Sequence, residues 1–219
     1  MSRKLLYGCM HLGGSWDDSP IPPGHQTETF DLLDFIIGEC GITDFDHADI
    51  YCRGKSEKLF GSYLKDRNIN RSHLFIQSKC GILLGIGELG SSHYCFEKKY
   101  IIDQVNKSID NLQCEFLDAL LLHRPDPLWH PEEVAETFEY LLHQKLVKSF
   151  GVSNFSTPQL TYLQRYFPNI FANQVQFSLG HSHLLYEEVI FNNNRSQITD
   201  TGFFPYHQDK EIEIQIWGP

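Results

Sequence analysis

Phe116-Leu117-Asp118-Ala119-Leu120-Leu121-Leu122 is an apolar run bounded by turn residues and followed at once by His123. A strand that is apolar along nearly its whole length is one buried on both faces, as in parallel sheets covered by helices. Upstream, Ile102, Val105, Ile109 and Leu112 recur at helical spacing. Downstream, His130-Pro131-Glu132-Glu133 opens a helix with proline at its first position and acid in its first turn, and Val134, Phe138, Leu141 and Leu142 continue the buried face. A buried strand between two amphipathic helices is one βα unit.

The same unit repeats in both directions. Residues 4–9, 42–46 and 74–78 read as the first three strands, separated by the helical stripes Phe30, Leu33, Ile36, Ile37 and Leu59, Phe60, Tyr63, Leu64; a glycine at 41 ends the first stripe. Residues 149–153 and 171–176 are the fifth and sixth strands. Between them Ser156-Thr157-Pro158-Gln159 has capping-box spacing ahead of Leu160, Leu163 and Phe167. Residues 187–209 read as a short helix broken by an irregular loop around Gly202-Phe203-Phe204-Pro205, and residues 213–217 as a seventh strand. Strands alternating with helices predict an α/β fold with a parallel sheet. No GxGxxG follows the first strand, which disfavours the open dinucleotide-binding sheet. The expected fold is a (β/α)8 TIM-type barrel in one domain over residues 1–219, with seven of its eight strands present and the eighth strand and C-terminal helices lacking.

Composition narrows the partners. A net charge of −10 over 219 residues opposes binding to nucleic acid, whose phosphates are held by clustered Lys and Arg. The longest uninterrupted run of aliphatic residues, Ala119 to Leu122, is far short of the ~20 that span a bilayer. Six scattered cysteines without CxxC spacing and no apolar leader point to a cytoplasmic protein with reduced thiols. His181 and His183 would share a face if extended but have no third ligand nearby, so no metal is expected. The expected partner is a small molecule, and the expected state a monomer.

In such barrels, chemistry sits at the C-terminal ends of the strands. Here each end carries a polar or aromatic group: Asp46 with Tyr51 just beyond it, Lys79, His123, Ser153-Asn154, Gln174 and Trp217. Taken singly, Asp46 could form an Asx turn, Lys79 could be a solvated charge and Ser153-Asn154 could be turn residues. Solvated residues have no reason to recur at one end of successive strands. Five segments, Phe45-Asp46-His47-Ala48-Asp49-Ile50-Tyr51, Ser78-Lys79-Cys80-Gly81, Leu122-His123-Arg124-Pro125-Asp126-Pro127, Gly151-Val152-Ser153-Asn154-Phe155 and Asn173-Gln174-Val175, resemble the aldo-keto reductases in order and spacing. The resemblance runs from Leu5 to Pro219. It implies an NADPH-dependent reductase of aldehydes or ketones, with Asp46, Tyr51, Lys79 and His123 as a catalytic tetrad. It further implies that Ser153, Asn154 and Gln174 hold the nicotinamide carboxamide and that Trp217 stacks on the ring, where the family more often has Tyr.

The residue types suit that chemistry. Hydride addition to a carbonyl leaves an alkoxide that needs a proton, and a phenol of pKa ~10 gives one up more readily beside a cation. Lys79 would be that cation, Asp46 would keep it charged, and His123 would hydrogen-bond the substrate oxygen. Trp16 and Trp129, in loops after the first and fourth strands, could line a substrate pocket or could equally be loop anchors. The resemblance also implies that the pyrophosphate and 2′-phosphate are held by segments after the seventh and eighth strands, beyond Pro219, so tight cofactor binding is not expected of these residues alone. The alternative is a catalytically inactive fragment or a cofactor-binding regulatory module.

Overall fold

A computed structural model of the protein describes residues 5–85, 91–185 and 202–218. Its strands are β1 (Leu6–Gly8), β2 (Asp44–Asp46), β3 (Phe75–Cys80), β4 (Ile82–Leu83), β5 (His93–Tyr94), β6 (Ala119–Leu122), β7 (Phe150–Ser153), β8 (Ile170–Gln176) and β9 (Glu213–Trp217). Its α-helices are α1 (His25–Gly38), α2 (Lys55–Asp66), α3 (Lys98–Leu112), α4 (Pro131–His143), α5 (Thr157–Gln164) and α6 (Phe203–Asp209). Seven strands form one parallel sheet in the order β1-β2-β3-β6-β7-β8-β9, with helices between successive strands. This is the expected incomplete (β/α)8 barrel. No described helix is long and apolar enough to cross a membrane.

Three local readings change. The third strand extends through Cys80, which puts Lys79 inside the sheet. The glycine-rich segment after it, expected from the sequence as a long loop, contains a small antiparallel pair, β4 with β5. Gly202-Phe203-Phe204-Pro205 opens a helix: Gly202 takes φ +81° ahead of α6, and Pro205 falls in the first turn, where a missing N–H costs no bond. Lys4 and residues 187–201 of the segment expected as a broken helix over 187–209 lie outside the described residues.

Strand alternation sorts the side chains. Phe45, Ile76, Cys80, Leu120, Leu122, Phe150 and Val152 point outward into the apolar layer under the helices, with Leu33, Phe60, Ile101, Val105, Phe138 and Leu160. There Phe138 stacks on Phe150 with ring centroids 4.0 Å apart. The opposite faces meet inside the barrel. Gln77 of β3 hydrogen-bonds Gln215 of β9, and Phe75 of β3 lies edge-on to Phe171 of β8, although β3 pairs with neither strand. These contacts span the interior and show that the sheet curls.

β8 carries one residue more than β7 between paired positions: Phe150 faces Ile170, but Val152 faces Asn173. The bulge reverses the alternation. Phe171 and Gln174, an odd number of residues apart, can then both reach interior partners, Phe75 and Gln215, while Asn173 turns outward to bond the Phe155 carbonyl.

Behind β3 lies a buried polar layer. Ser78 donates to Glu57 Oε1 at 2.7 Å, and Asn111 donates to Glu57 Oε2 at 3.1 Å. Asp49 sits beside it with Oδ1 buried and unpartnered, and Tyr100 reaching Oδ2 at 3.5 Å. Burial, then the charge of Glu57, pushes the Asp49 carboxyl up from 3.8 to about 8. Unfolding releases that proton above about pH 4, so Asp49 lowers stability progressively as pH rises through this window. We predict that Tm falls from pH 5 to pH 8 and that Asp49→Asn reduces the fall, by roughly 2–4 °C per kcal/mol of penalty removed. Identical pH profiles of parent and variant in a thermal melt would refute the assignment.

Candidate active site

The site is built where β2 and β3 run out together. After β2 the chain stays beside β3, with His47 N bonding Gln77 O at 2.9 Å and Asp49 N bonding Lys79 O at 3.0 Å. It then turns at Tyr51–Gly54 through three successive left-handed residues, Cys52, Arg53 and Gly54. The turn brings Tyr51 back over Lys79.

Lys79 Nζ donates to Asp46 Oδ2 at 2.8 Å, His47 O at 2.9 Å and Tyr51 Oη at 2.9 Å. An ammonium has three protons, and all three are used. The side chain is buried, with Asp46 and Tyr51 each only 8% exposed. Burial alone would lower the lysine's pKa. Asp46, then Tyr51, more than offset it and hold the ammonium above its ordinary value.

Tyr51 departs from expectation. Burial raises its pKa and outweighs the lowering by Lys79, so the net shift is upward. The phenol therefore keeps its proton at neutral pH, with the Lys79 ammonium 2.9 Å from its oxygen.

His123 follows β6, its N–H bonding Cys80 O at 2.8 Å, and its ring lies edge-to-face with Tyr51 at 5.9 Å. Burial, then Lys79 and Arg124, holds its pKa well below the usual 6.5, so the imidazole is neutral and carries a single N–H.

A second group lies along β7, β8 and β9. Ser153 Oγ donates to Gln174 O at 2.9 Å, Asn154 Nδ2 donates to Ser153 Oγ at 2.8 Å, and Trp217 Nε1 donates to Asn154 Oδ1 at 3.2 Å. Asn154 adopts φ +61°, a conformation asparagine tolerates better than most residues. The indole bond fixes the plane of Trp217, and the Arg124 guanidinium lies 5.5 Å from the ring centroid.

Trp16 stands edge-on to Tyr51 at 6.1 Å. Its loop is pinned by Gly13 N to Ser56 Oγ at 3.0 Å and by Cys52 Sγ to Gly14 O at 3.1 Å. A Cβ on Gly13 would lie 2.6 Å from Ser56 N, so the approach requires glycine. Trp129 packs instead against Phe96, Phe155 and Tyr162, apart from the Lys79 cluster, an arrangement that favours loop anchoring.

Two participants escaped the sequence reading. Gln77 donates to Asp46 Oδ1 at 2.5 Å, and Gln215 pairs with Gln77. The signal was alternation: Gln77 precedes Lys79 by two, and Gln215 precedes Trp217 by two, so each shares a face with a site residue. Among the described residues no group of three or more His, Cys, Asp or Glu is placed to hold a metal ion.

Comparison with known proteins agrees with this architecture. Residues 4–219 match the profile of the Aldo/keto reductase family. The chain is 42% identical over 179 residues to the uncharacterized oxidoreductase YcsN of Bacillus subtilis, covering 80% of this chain and 57% of that protein. It is 30% identical over 223 residues to a 6-dehydroglucose reductase of Agrobacterium fabrum, covering 99% of this chain and 67% of that protein. Among solved structures it is similar to an aldo/keto reductase of Klebsiella pneumoniae in complex with NADP and acetate, with TM-score 0.71 and 20% identity over 97% of this chain and 62% of that one. The chain thus spans 57–67% of the length of these proteins. On the match along residues 4–219, the chain belongs to the aldo/keto reductase family of oxidoreductases.

Proposed function

We propose that the protein reduces an aldehyde or ketone to an alcohol with NADPH, Tyr51 giving the proton. The observation that carries this reading is the three-way coordination of one buried ammonium, Lys79, by Asp46 Oδ2, His47 O and Tyr51 Oη. A structural lysine needs a carboxylate. It does not need a phenol held at the rim where the strands end.

The rim residues suit a nicotinamide. Asn154 Nδ2 spends one of its two protons on Ser153, and Gln174 Oε1 accepts no hydrogen bond from the described residues. One free donor and one free acceptor match a carboxamide. Trp217, held by Asn154, offers a flat face for the ring. NADP occupies the Klebsiella structure, which favours that cofactor here.

When bound, a reduced nicotinamide supplies hydride to the carbonyl carbon. The His123 N–H orients the carbonyl oxygen and steadies its growing charge. Tyr51 Oη passes its proton to that oxygen, and Lys79 stabilises the phenolate left behind. Asp46 holds Lys79 in place, and Trp16 narrows the approach to Tyr51. The six cysteines are free thiols, which fits a reducing compartment such as the cytoplasm. We propose a monomer as the working unit.

In the full-length protein, Tyr51→Phe should lower kcat for a simple aromatic aldehyde by about 10²–10⁴-fold, the usual worth of a positioned general acid. NADPH affinity by fluorescence titration should stay unchanged. Turnover by the variant at the parent rate would remove the proton-donor role. Cofactor binding without turnover by the parent would favour the regulatory module instead.

A further inference from the structure

Asp46 has two carboxylate oxygens, and Lys79 takes one. The other, Oδ1, accepts from Gln77 Nε2 at 2.5 Å. Gln77 Nε2 also donates to Gln215 Oε1 at 2.9 Å, and Gln215 Nε2 returns a bond to Gln77 Oε1 at 3.2 Å. Gln215 Oε1 accepts a further bond from Gln174 Nε2 at 3.3 Å. Gln77 is fully buried, and Gln215 nearly so.

We propose that Gln77 and Gln215 are a positioning pair that fixes the Asp46 carboxylate, and through it aims the Lys79 ammonium at Tyr51. The inference rests on the proposed function for its purpose, but its geometry stands apart from turnover. An ionised carboxylate only accepts hydrogen bonds, so Gln77 must turn its NH₂ toward Asp46 and its carbonyl away. The reciprocal bonds with Gln215 lock that orientation.

The consequence reaches Lys79 by counting donors. Its three protons go to Asp46, His47 O and Tyr51, so the direction of the third depends on the other two acceptors staying still. With Oδ1 released, the carboxylate can rotate and draw the ammonium toward itself, weakening its bond to the phenol. The charges facing Tyr51 are Lys79 and Asp46. Burial keeps the nearby Cys9 thiol and His123 imidazole neutral. A core glutamine pair is otherwise a poor choice, because an apolar pair of similar size would bury no amides. Gln215 also links Asp46 to Gln174, so the proton donor's supports and the proposed carboxamide site share one hydrogen-bonded network.

The test is a titration of the full chain labelled with [¹³Cζ]tyrosine, with Tyr51 identified by the signal lost in Tyr51→Phe. Gln77→Met keeps the length of the side chain and removes both the amide NH₂ and its carbonyl. It should move the Tyr51 titration upward by about 1 pH unit, the worth of one well-made hydrogen bond. Gln215→Met should move it in the same direction by less. Where Gln77→Met does not fold, Gln215→Met carries the test. Leu160→Ala, a substitution in the apolar layer under the helices, should leave the titration in place. Tyr51 curves that superimpose on the parent in folded variants, or loss of the fold in both glutamine variants, overturn the proposal in favour of a packing role. A shift in Tyr51 without carbonyl turnover by the parent would overturn the proposed function alone. Turnover with an unmoved Tyr51 would overturn the positioning role alone.

Discussion

Everything at the mouth of this barrel depends on keeping a lysine charged where there is almost no water. Moving an ammonium out of water costs several kcal/mol even after relaxation, and a lone lysine at such a site would give up its proton. Lys79 keeps it because Asp46 lies 2.8 Å away and because His47 O and Tyr51 Oη take its remaining protons. Removing any of these acceptors leaves a buried donor unsatisfied. The site therefore stands or falls as a unit.

That unit requires β2 and β3 to keep their register. Asp46 pairs across from Gln77, and the segment after β2 continues to bond β3 through His47 N and Asp49 N. A slip of one residue would send Asp46 to the helix side and Phe45 into the barrel. The outward residues guard against it. Phe45, Ile76 and Cys80 are anchored in the apolar layer under α1 to α3, so a register error would expose large apolar groups. The packing under the helices holds the Asp46–Lys79 cluster inside the barrel in place.

The repeated βα pattern made seven strands and the barrel legible in the sequence, and the polar groups at the strand ends marked the rim. The strand expected over 74–78 with Lys79 at its end runs through Cys80, because apolar patterning does not show where a strand's last buried pair turns polar. Gln77 and Gln215 stand out neither by apolar spacing nor by lying at a strand end. Their pairing joins positions 138 apart, and only the curl of the sheet reveals it. The β8 bulge left no mark in the periodicity, since one extra residue in a mixed apolar and polar strand looks like noise. Trp16 and Trp129, equal on sequence grounds, separate because the turn at Cys52 and Arg53 docks the Trp16 loop against the site.

The direct measurement of the central claim is the protonation of Lys79, read by [¹⁵Nζ]lysine NMR as a function of pH in the parent and in Asp46→Asn. The parent should titrate above the ordinary lysine value of 10.5, and the variant below it, because burial is then no longer offset by the carboxylate. A Lys79 that titrates alike in both proteins would contradict the claim that Asp46 keeps the ammonium charged.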